Sequence, residues 1–206
     1  VMKAEVSGSV LTPAAIAAQG PADTDAIAAA AALIDAAERP VVLLGMLASQ
    51  PAVAAAVRSL LSKAALAVAG TYQAAGVVPR ERLDCFAGRV GLFHNQPADR
   101  LLDAADLVVT VGFDPVEYDP ALWNRGRKRK LIHVDCVPAE IDNDYRPDLE
   151  LLGSSAATLR ALGALVKSRP SPAQAGLLAP APAPARPLDK RYLAPKVKTA
   201  PGLNPA

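Results

Sequence analysis

The feature that most constrains the fold is a regular alternation of short apolar runs with helical segments. The runs have the length of β-strands, and they occupy residues 41–45, 66–71, 89–93, 106–112, 130–136 and 149–154. Their apolar character is continuous rather than alternating, which is typical of strands buried on both faces. Strands that alternate with helices of this length predict a doubly wound α/β fold, with a mainly parallel sheet of five or six strands and helices on both faces.

Local signals predict where the helices begin and end. Asp23 or Thr24 can accept the free amide hydrogens at a helix start, and Pro40 ends the segment that follows. Pro51 fits the first turn of a helix over 52–63. Apolar residues fall on one helical stripe in the first of these segments: Ile27, Ala30, Ala31 and Ile34. Two more helices are predicted at 97–105 and at about 155–166.

Composition divides the chain into three parts. Residues 1–22 show weak periodicity and are interpreted as a segment leading into the domain, whereas residues 23–166 form the central α/β domain. Nine of the chain's 19 prolines lie in residues 167–206, together with seven Lys or Arg residues and a single acid. This composition favours extended polyproline II conformation and predicts a disordered basic linker without regular structure.

Several classes of protein are disfavoured by composition. Cys85 and Cys136 are far apart, so neither a zinc site nor a Cys-x-x-Cys redox motif is expected, and both residues are interpreted as free thiols. The longest apolar runs are shorter than a membrane span needs. The basic residues of the tail lack the folded, aromatic-containing surface that nucleic-acid binding requires. We therefore expect a soluble, cytoplasmic protein that contacts neither membranes nor nucleic acids.

A candidate ligand cleft lies at the carboxyl ends of the predicted strands. Ligands of open parallel sheets bind there, at the point where the strand order reverses. The loops at Phe93–Gln96 and Glu117–Tyr118 follow two strands that we expect to be neighbours in the sheet. The residues predicted to line the cleft are Gln73, Phe93, Asn95, Gln96, Glu117, Tyr118 and Asp135.

The residue types at the predicted cleft do not identify one ligand or one reaction. The loop after the first strand has one glycine, Gly45, and no GxGxxG or GxxxxGK[ST] motif occurs, which disfavours a nucleotide diphosphate. Asp135 either binds a ribose hydroxyl or has a structural role in a turn at the end of its strand. His133, within a strand, is interpreted as a satisfied core or interface histidine. Glu117 and Asp119 are interpreted as an exposed acidic loop rather than a catalytic carboxylate pair, and no catalytic or metal-binding residue is assigned.

Longer blocks of sequence resemble a known family. The segment FAGRVGLFHNQPADRLLDAADLVVTVGFDPVEYDPALWN (86–124), with GTYQAAGVVPRE (70–81) and LIHVDCVPAEID (131–142), is similar to the middle domain of thiamine-diphosphate-dependent enzymes. The catabolic, FAD-independent acetolactate synthases resemble it most. The similarity covers about residues 25–166, and EVSGSVL (5–11) and GLNPA (202–206) resemble the family's connections to its first and third domains.

The resemblance implies an enzyme that joins two pyruvates into 2-acetolactate with loss of CO₂, using thiamine diphosphate and Mg²⁺. In that family a glutamate of the pyrimidine-binding domain and a GDG…N motif of the diphosphate-binding domain serve the cofactor, and this sequence contains neither domain and no GDG. The resemblance therefore implies a non-catalytic middle domain whose partners are those two domains, in a homo-oligomer. FAD is not expected, because DPVEY (114–118) stands where FAD-dependent relatives have an Arg-Phe-Asp-Asp-Arg-like loop.

Two other hypotheses remain beside this one. The chain is either a free-standing module that binds FAD or NAD, or a scaffold that joins and spaces catalytic domains. Both agree with the predicted fold. A reading frame that continues on both sides, into a domain with the activating glutamate and a domain with a GDG motif, would favour the middle-domain hypothesis over both.

Overall fold

A computed structural model of the chain describes residues 18–92 and 96–178. Six parallel strands form one sheet in the order β3-β2-β1-β4-β5-β6. The strands are β1 (Pro40–Leu44), β2 (Ala67–Thr71), β3 (Phe86–Val90), β4 (Leu107–Val111), β5 (Lys130–Asp135) and β6 (Leu149–Leu152). The strand order reverses between β1 and β4. The predicted doubly wound α/β fold is therefore confirmed.

Within the described ranges, five α-helices cover the sheet. They are α1 (Thr24–Ala36), α2 (Pro51–Ala64), α3 (Pro97–Ala104), α4 (Pro120–Trp123) and α5 (Ser155–Leu165). Short 3₁₀ turns span Met46–Ser49, Tyr72–Ala74 and Arg80–Cys85. Among the described residues, no helix is long and apolar enough to cross a membrane.

The two faces of the sheet pack into separate cores. Val42 and Leu44 of β1 pack with α1, α2 and α5, whereas Val41 and Leu43 pack on the opposite face with α3 and with the aromatic residue Trp123. Every residue of β1 is buried, which explains why its sequence shows no polar alternation.

The first helix follows its local signals. The side chain of Asp23 accepts hydrogen bonds from the backbone N–H groups of Asp25 and Ala26 at 3.0 and 3.1 Å, so it caps α1. The predicted stripe from Ile27 to Ile34 is buried against the sheet. Helices α2, α3 and α5 likewise begin and end within two residues of the predicted bounds.

The third strand differs from the prediction. It spans Phe86–Val90 rather than 89–93. The strand ends directly before Gly91, whose φ of +109° is a conformation that L side chains rarely adopt. A Cβ on Gly91 would also lie 2.9 Å from the backbone oxygen of Glu117. Residues 93–95, which include the predicted cleft residues Phe93 and Asn95, lie outside the described residues.

The segment that follows α5 is packed rather than free. The backbone N–H of Lys167 donates to Asp35 at 3.0 Å, and the guanidinium of Arg169 donates to the carbonyl oxygens of Ile34, Asp35 and Ala37 at the end of α1. Ser171 is buried. Residues 167–178 thus contact the body of the domain without forming a helix or strand, whereas residues 179–206 of the proposed linker lie outside the described part of the chain.

Replacing Arg169 by alanine is expected to lower the free energy of unfolding by about 1–3 kcal/mol, because three carbonyl oxygens at the end of α1 lose a charged donor. Thermal unfolding should show a melting temperature several degrees lower. Lys167→Ala is the matched control, since the ammonium group of Lys167 is largely exposed and 4.0 Å from Asp35; its effect should stay within about 0.5 kcal/mol. Equal melting temperatures for Arg169→Ala and the unmodified chain would contradict the packing of this segment.

Candidate functional site

The carboxyl ends of β1, β2 and β4 are joined by one side chain, Glu117. Its two carboxylate oxygens both lie 2.9 Å from the backbone nitrogen of Met46, which follows β1. One oxygen also accepts from the backbone N–H of Asp114 at 3.1 Å, and the other accepts from the hydroxyl of Thr71, at the end of β2, at 2.6 Å. The interpretation of Glu117 as an exposed loop acid is therefore wrong. Asp119, the other acid of that loop, is exposed as predicted, and it caps α4 by accepting from the N–H of Ala121.

Two glycines allow the loops to meet so closely. A Cβ on Gly45 would lie 2.3 Å from the backbone oxygen of Gly112 and 2.7 Å from the Glu117 carboxylate. Gly112 has a φ of +55°, and its oxygen accepts from the N–H of Leu47 at 3.1 Å. Gly45 thus makes room for the chain's own backbone and carboxylate, at the strand end where a dinucleotide-binding fold places a diphosphate.

Tyr118 and Gln96 are connected through the buried Asp99, which was not among the predicted cleft residues. The hydroxyl of Tyr118 donates to one oxygen of Asp99 at 2.8 Å, and the other oxygen accepts from the backbone N–H of Gln96 at 2.8 Å. Burial and the charge of Asp99 raise the pKa of Tyr118 far above its ordinary value. Gln96 and Asp99 form a capping box at the start of α3. Their separation of three residues, which is typical of this motif, is visible in the sequence.

The strands before these two loops are not neighbours, contrary to the prediction. β2 and β1 lie between β3 and β4 in the sheet. The loops meet nevertheless, because the segment 112–119 crosses the ends of β1 and β2 to reach Gly91 and α3. Tyr118 and Gln96 are therefore close to each other through Asp99, although the strands that precede them are separated by β2 and β1.

A cavity of about 190 Å³ lies between the loops that follow β1, β4 and β5. Its lining includes Met46, Pro115, Glu117, His133, Asp135 and Val137. Asp135 is buried, and its carboxylate accepts from the N–H of Cys136 at 2.6 Å. A side-chain hydrogen bond with Asp135, together with burial, raises the pKa of the Cys136 thiol. Gln73, the remaining predicted residue, is exposed beside β2.

His133 is a satisfied core histidine, as predicted. It is 3% exposed. Its Nε2 lies 3.1 Å from the backbone oxygen of Val137, which can only accept, so Nε2 bears a hydrogen. Its Nδ1 lies 2.9 Å from the hydroxyl of Tyr145, which in turn lies 2.7 Å from the hydroxyl of Thr110. The ring is held in place by this network.

The arrangement of the potential metal ligands and of the two cysteines is a further feature of the described residues. Within residues 18–92 and 96–178, no group of three or more His, Cys, Asp or Glu side chains is arranged to hold a metal. Cys85 is buried and Cys136 is exposed, and both are free. The expectation of free thiols is therefore confirmed.

Comparisons with known proteins agree with the resemblance in the sequence. A family model for the central domain of thiamine pyrophosphate enzymes matches residues 27–162. An acetolactate synthase of Bacillus subtilis (strain 168) is 51% identical over 140 residues, which cover 68% of this chain and 25% of that protein. A catabolic acetolactate synthase of Raoultella terrigena is 40% identical over 169 residues, covering 82% of this chain and 30% of that protein.

A solved structure shows the same fold. It is a protein from Mycobacterium smegmatis described as a thiamin diphosphate-dependent enzyme, with a TM-score of 0.61 and 21% sequence identity. The match covers 79% of this chain and 31% of that one. The chain thus spans between a quarter and a third of the length of the proteins that it matches.

Proposed function

The chain belongs to the family of thiamine pyrophosphate enzyme central domains, and from this premise we propose that it is the central domain of an acetolactate synthase that converts two pyruvates into 2-acetolactate and CO₂. The synthases of B. subtilis and R. terrigena support this activity, because they share 51% and 40% of the aligned residues. In this proposal the chain has a structural and cleft-lining role, and it acts together with a pyrimidine-binding and a diphosphate-binding domain in a cytoplasmic homo-oligomer.

The observation that carries this role is the closure of the strand ends by Glu117. The donors that a nucleotide diphosphate needs at this position, the N–H groups of Met46 and Asp114 and the hydroxyl of Thr71, already bind the Glu117 carboxylate. Gly45 faces the backbone of Gly112 rather than open space. This geometry disfavours the alternative of a free-standing FAD- or NAD-binding module, and it fits an enzyme that works without flavin.

The described residues do not fit thiamine diphosphate either. Mg²⁺ needs several oxygen ligands for the cofactor's diphosphate, and no suitable group of acidic side chains occurs in the described parts of the chain. We therefore assign thiamine diphosphate and Mg²⁺ to the other domains of the full enzyme. The role of this domain is to position those domains and to shape the path of the substrate.

The 206-residue chain by itself is expected not to bind thiamine diphosphate and Mg²⁺ and not to consume pyruvate. Calorimetric titration should show no Mg²⁺-dependent binding tighter than about 1 mM, which corresponds to roughly −4 kcal/mol. The control is the same titration with the complete enzyme, which should bind the cofactor and release CO₂ from pyruvate. Binding by the chain alone would contradict the assignment of the cofactor to other domains, and a complete enzyme that forms no acetolactate would contradict the proposed activity.

Two substitutions in the complete enzyme separate residues that line the substrate path from residues that support the fold. Gln73→Ala removes an exposed amide at the strand ends and should raise the KM for pyruvate without changing the melting temperature. Tyr118→Phe leaves one oxygen of the buried Asp99 without its hydroxyl donor and should cost about 1–2 kcal/mol of stability while kinetics stay the same. Steady-state kinetics and melting curves distinguish them. An increased KM for Tyr118→Phe at unchanged stability would place the tyrosine in the substrate path instead.

A further inference from the structure

The carboxylate of Glu117 accepts hydrogen bonds from a set of donors that could equally bind a separate small anion. We define the strand-end nest as its three donors: the backbone N–H groups of Met46 and Asp114 and the hydroxyl of Thr71. We propose that the strand-end nest is a carboxylate-binding site in its own right, which Glu117 fills from within the chain and which accepts a free small carboxylate when that side chain is removed. This inference does not depend on the proposed enzymatic activity.

The donors are held in place without the help of Glu117's side chain. Met46 is fixed by its neighbours in the chain, since the N–H of Gly45 donates to Val111 at 3.0 Å and the N–H of Leu47 donates to Gly112 at 3.1 Å. Thr71 is the last residue of a buried strand and is paired in register with Val90. The nest should therefore persist when Glu117 is shortened.

The turn that carries the third donor is also independent of that side chain. The backbone N–H of Glu117 donates to the carbonyl oxygen of Asp114 at 2.9 Å, and the N–H of Val116 donates to the side chain of Asp114 at 2.9 Å. Both bonds remain in a variant that keeps the backbone of residue 117. The direction of the Asp114 N–H is set by this turn.

The arrangement of donors selects the class of ligand. Two backbone N–H groups repel a cation and attract an anion. Each oxygen of the bound group meets two donor contacts, with the N–H of Met46 shared between them, which matches a flat group with two oxygens. Gly45 lies so close that a Cβ there would be 2.7 Å from one oxygen. A small carboxylate therefore fits better than a tetrahedral phosphate or sulfate.

A free ligand can reach the nest from solvent. Met46 is 44% exposed and Val116 is 88% exposed, so the two loops that border the carboxylate are open on one side. Glu117→Ala would remove the last methylene and the carboxylate of the side chain, and acetate has the same size and charge as the atoms removed. Acetate is therefore the probe that restores the original contacts.

The test compares the unmodified chain with Glu117→Ala and Glu117→Gln in sodium acetate and in sodium chloride of equal ionic strength. Acetate at ten times its dissociation constant should raise the melting temperature of Glu117→Ala by about 2–5 °C over chloride. The backbone amide resonances of Met46 and Asp114 should shift and saturate in the same titration. The unmodified chain and Glu117→Gln should not respond, because a carboxylate or a carboxamide already occupies the nest.

Three outcomes would overturn the proposal. One is a response of Glu117→Ala to acetate that is no larger than its response to chloride. Another is an equal stabilisation by sulfate, which would show that the nest does not select carboxylates. If Glu117→Ala is unfolded in chloride, recovery of folding in acetate alone supports the proposal, and an unfolded chain in both salts contradicts it.

Discussion

Alanine at Gly45 is expected to lower the free energy of unfolding by about 3 kcal/mol or more, because the added methyl group has no space. It would lie 2.3 Å from the backbone oxygen of Gly112 and 2.4 Å from the Cα of Phe113. Both are backbone atoms, so no rotation of a side chain relieves the contact. Gly45 itself has φ −97° and ψ −172°, which alanine also adopts, so the cost comes from packing alone. Urea unfolding measures it.

Gly70→Ala is the matched control for this prediction. Gly70 lies one residue before the end of β2, the strand that pairs with β1, and a Cβ there would be 3.6 Å from Ala74 and 3.8 Å from Phe86. These are ordinary contact distances, so the change should stay within about 1 kcal/mol. Equal losses for the two variants would mean that the junction of the β1 and β4 loops is no more tightly packed than the rest of the sheet.

The parts of the fold that the sequence predicts are those determined by neighbouring residues. The five residues of β1 are all buried, and their uninterrupted apolar character identifies a central strand. Asp23 caps the helix that begins at the next residue. In both cases the residue and its structural partner lie within a few positions, so the pattern is visible in the sequence itself.

The parts that the sequence does not predict depend on distant partners. Glu117 binds donors 46 and 71 residues earlier in the chain, and no local spacing indicates such contacts. Arg169 caps a helix more than 130 residues away, whereas the proline content around it favours a free linker. β3 ends directly before Gly91, which has a positive φ, although apolar residues continue beyond it in the sequence. These features are recognised only when the positions of the distant residues in the folded chain are known.

Removing the carboxylate in Glu117→Ala is expected to lower the free energy of unfolding by about 2–4 kcal/mol. Two backbone N–H groups and a hydroxyl lose a charged acceptor. A hydrogen bond to a charged group contributes about 1.5–3 kcal/mol to stability. Water replaces the lost acceptor at the N–H of Met46, because Met46 is partly exposed. Thr71 is only 2% exposed, so water replaces the acceptor of its hydroxyl less well. Chemical denaturation in chloride measures the loss.

The contribution of one contact follows from a double-mutant cycle with Thr71→Val, which keeps the size of the side chain and removes its hydroxyl. The two substitutions should be non-additive by about 1–2 kcal/mol, because each removes one partner of the same 2.6 Å hydrogen bond. Asp119→Ala is the control for acidity in the same loop: it removes only a cap of the short α4 and should cost about 1 kcal/mol. A loss for Glu117→Ala no larger than for Asp119→Ala, with additive effects of Thr71→Val, would show that the three strand ends are held by their backbones alone. The closure of the cleft would then be a consequence of the fold rather than of the Glu117 carboxylate.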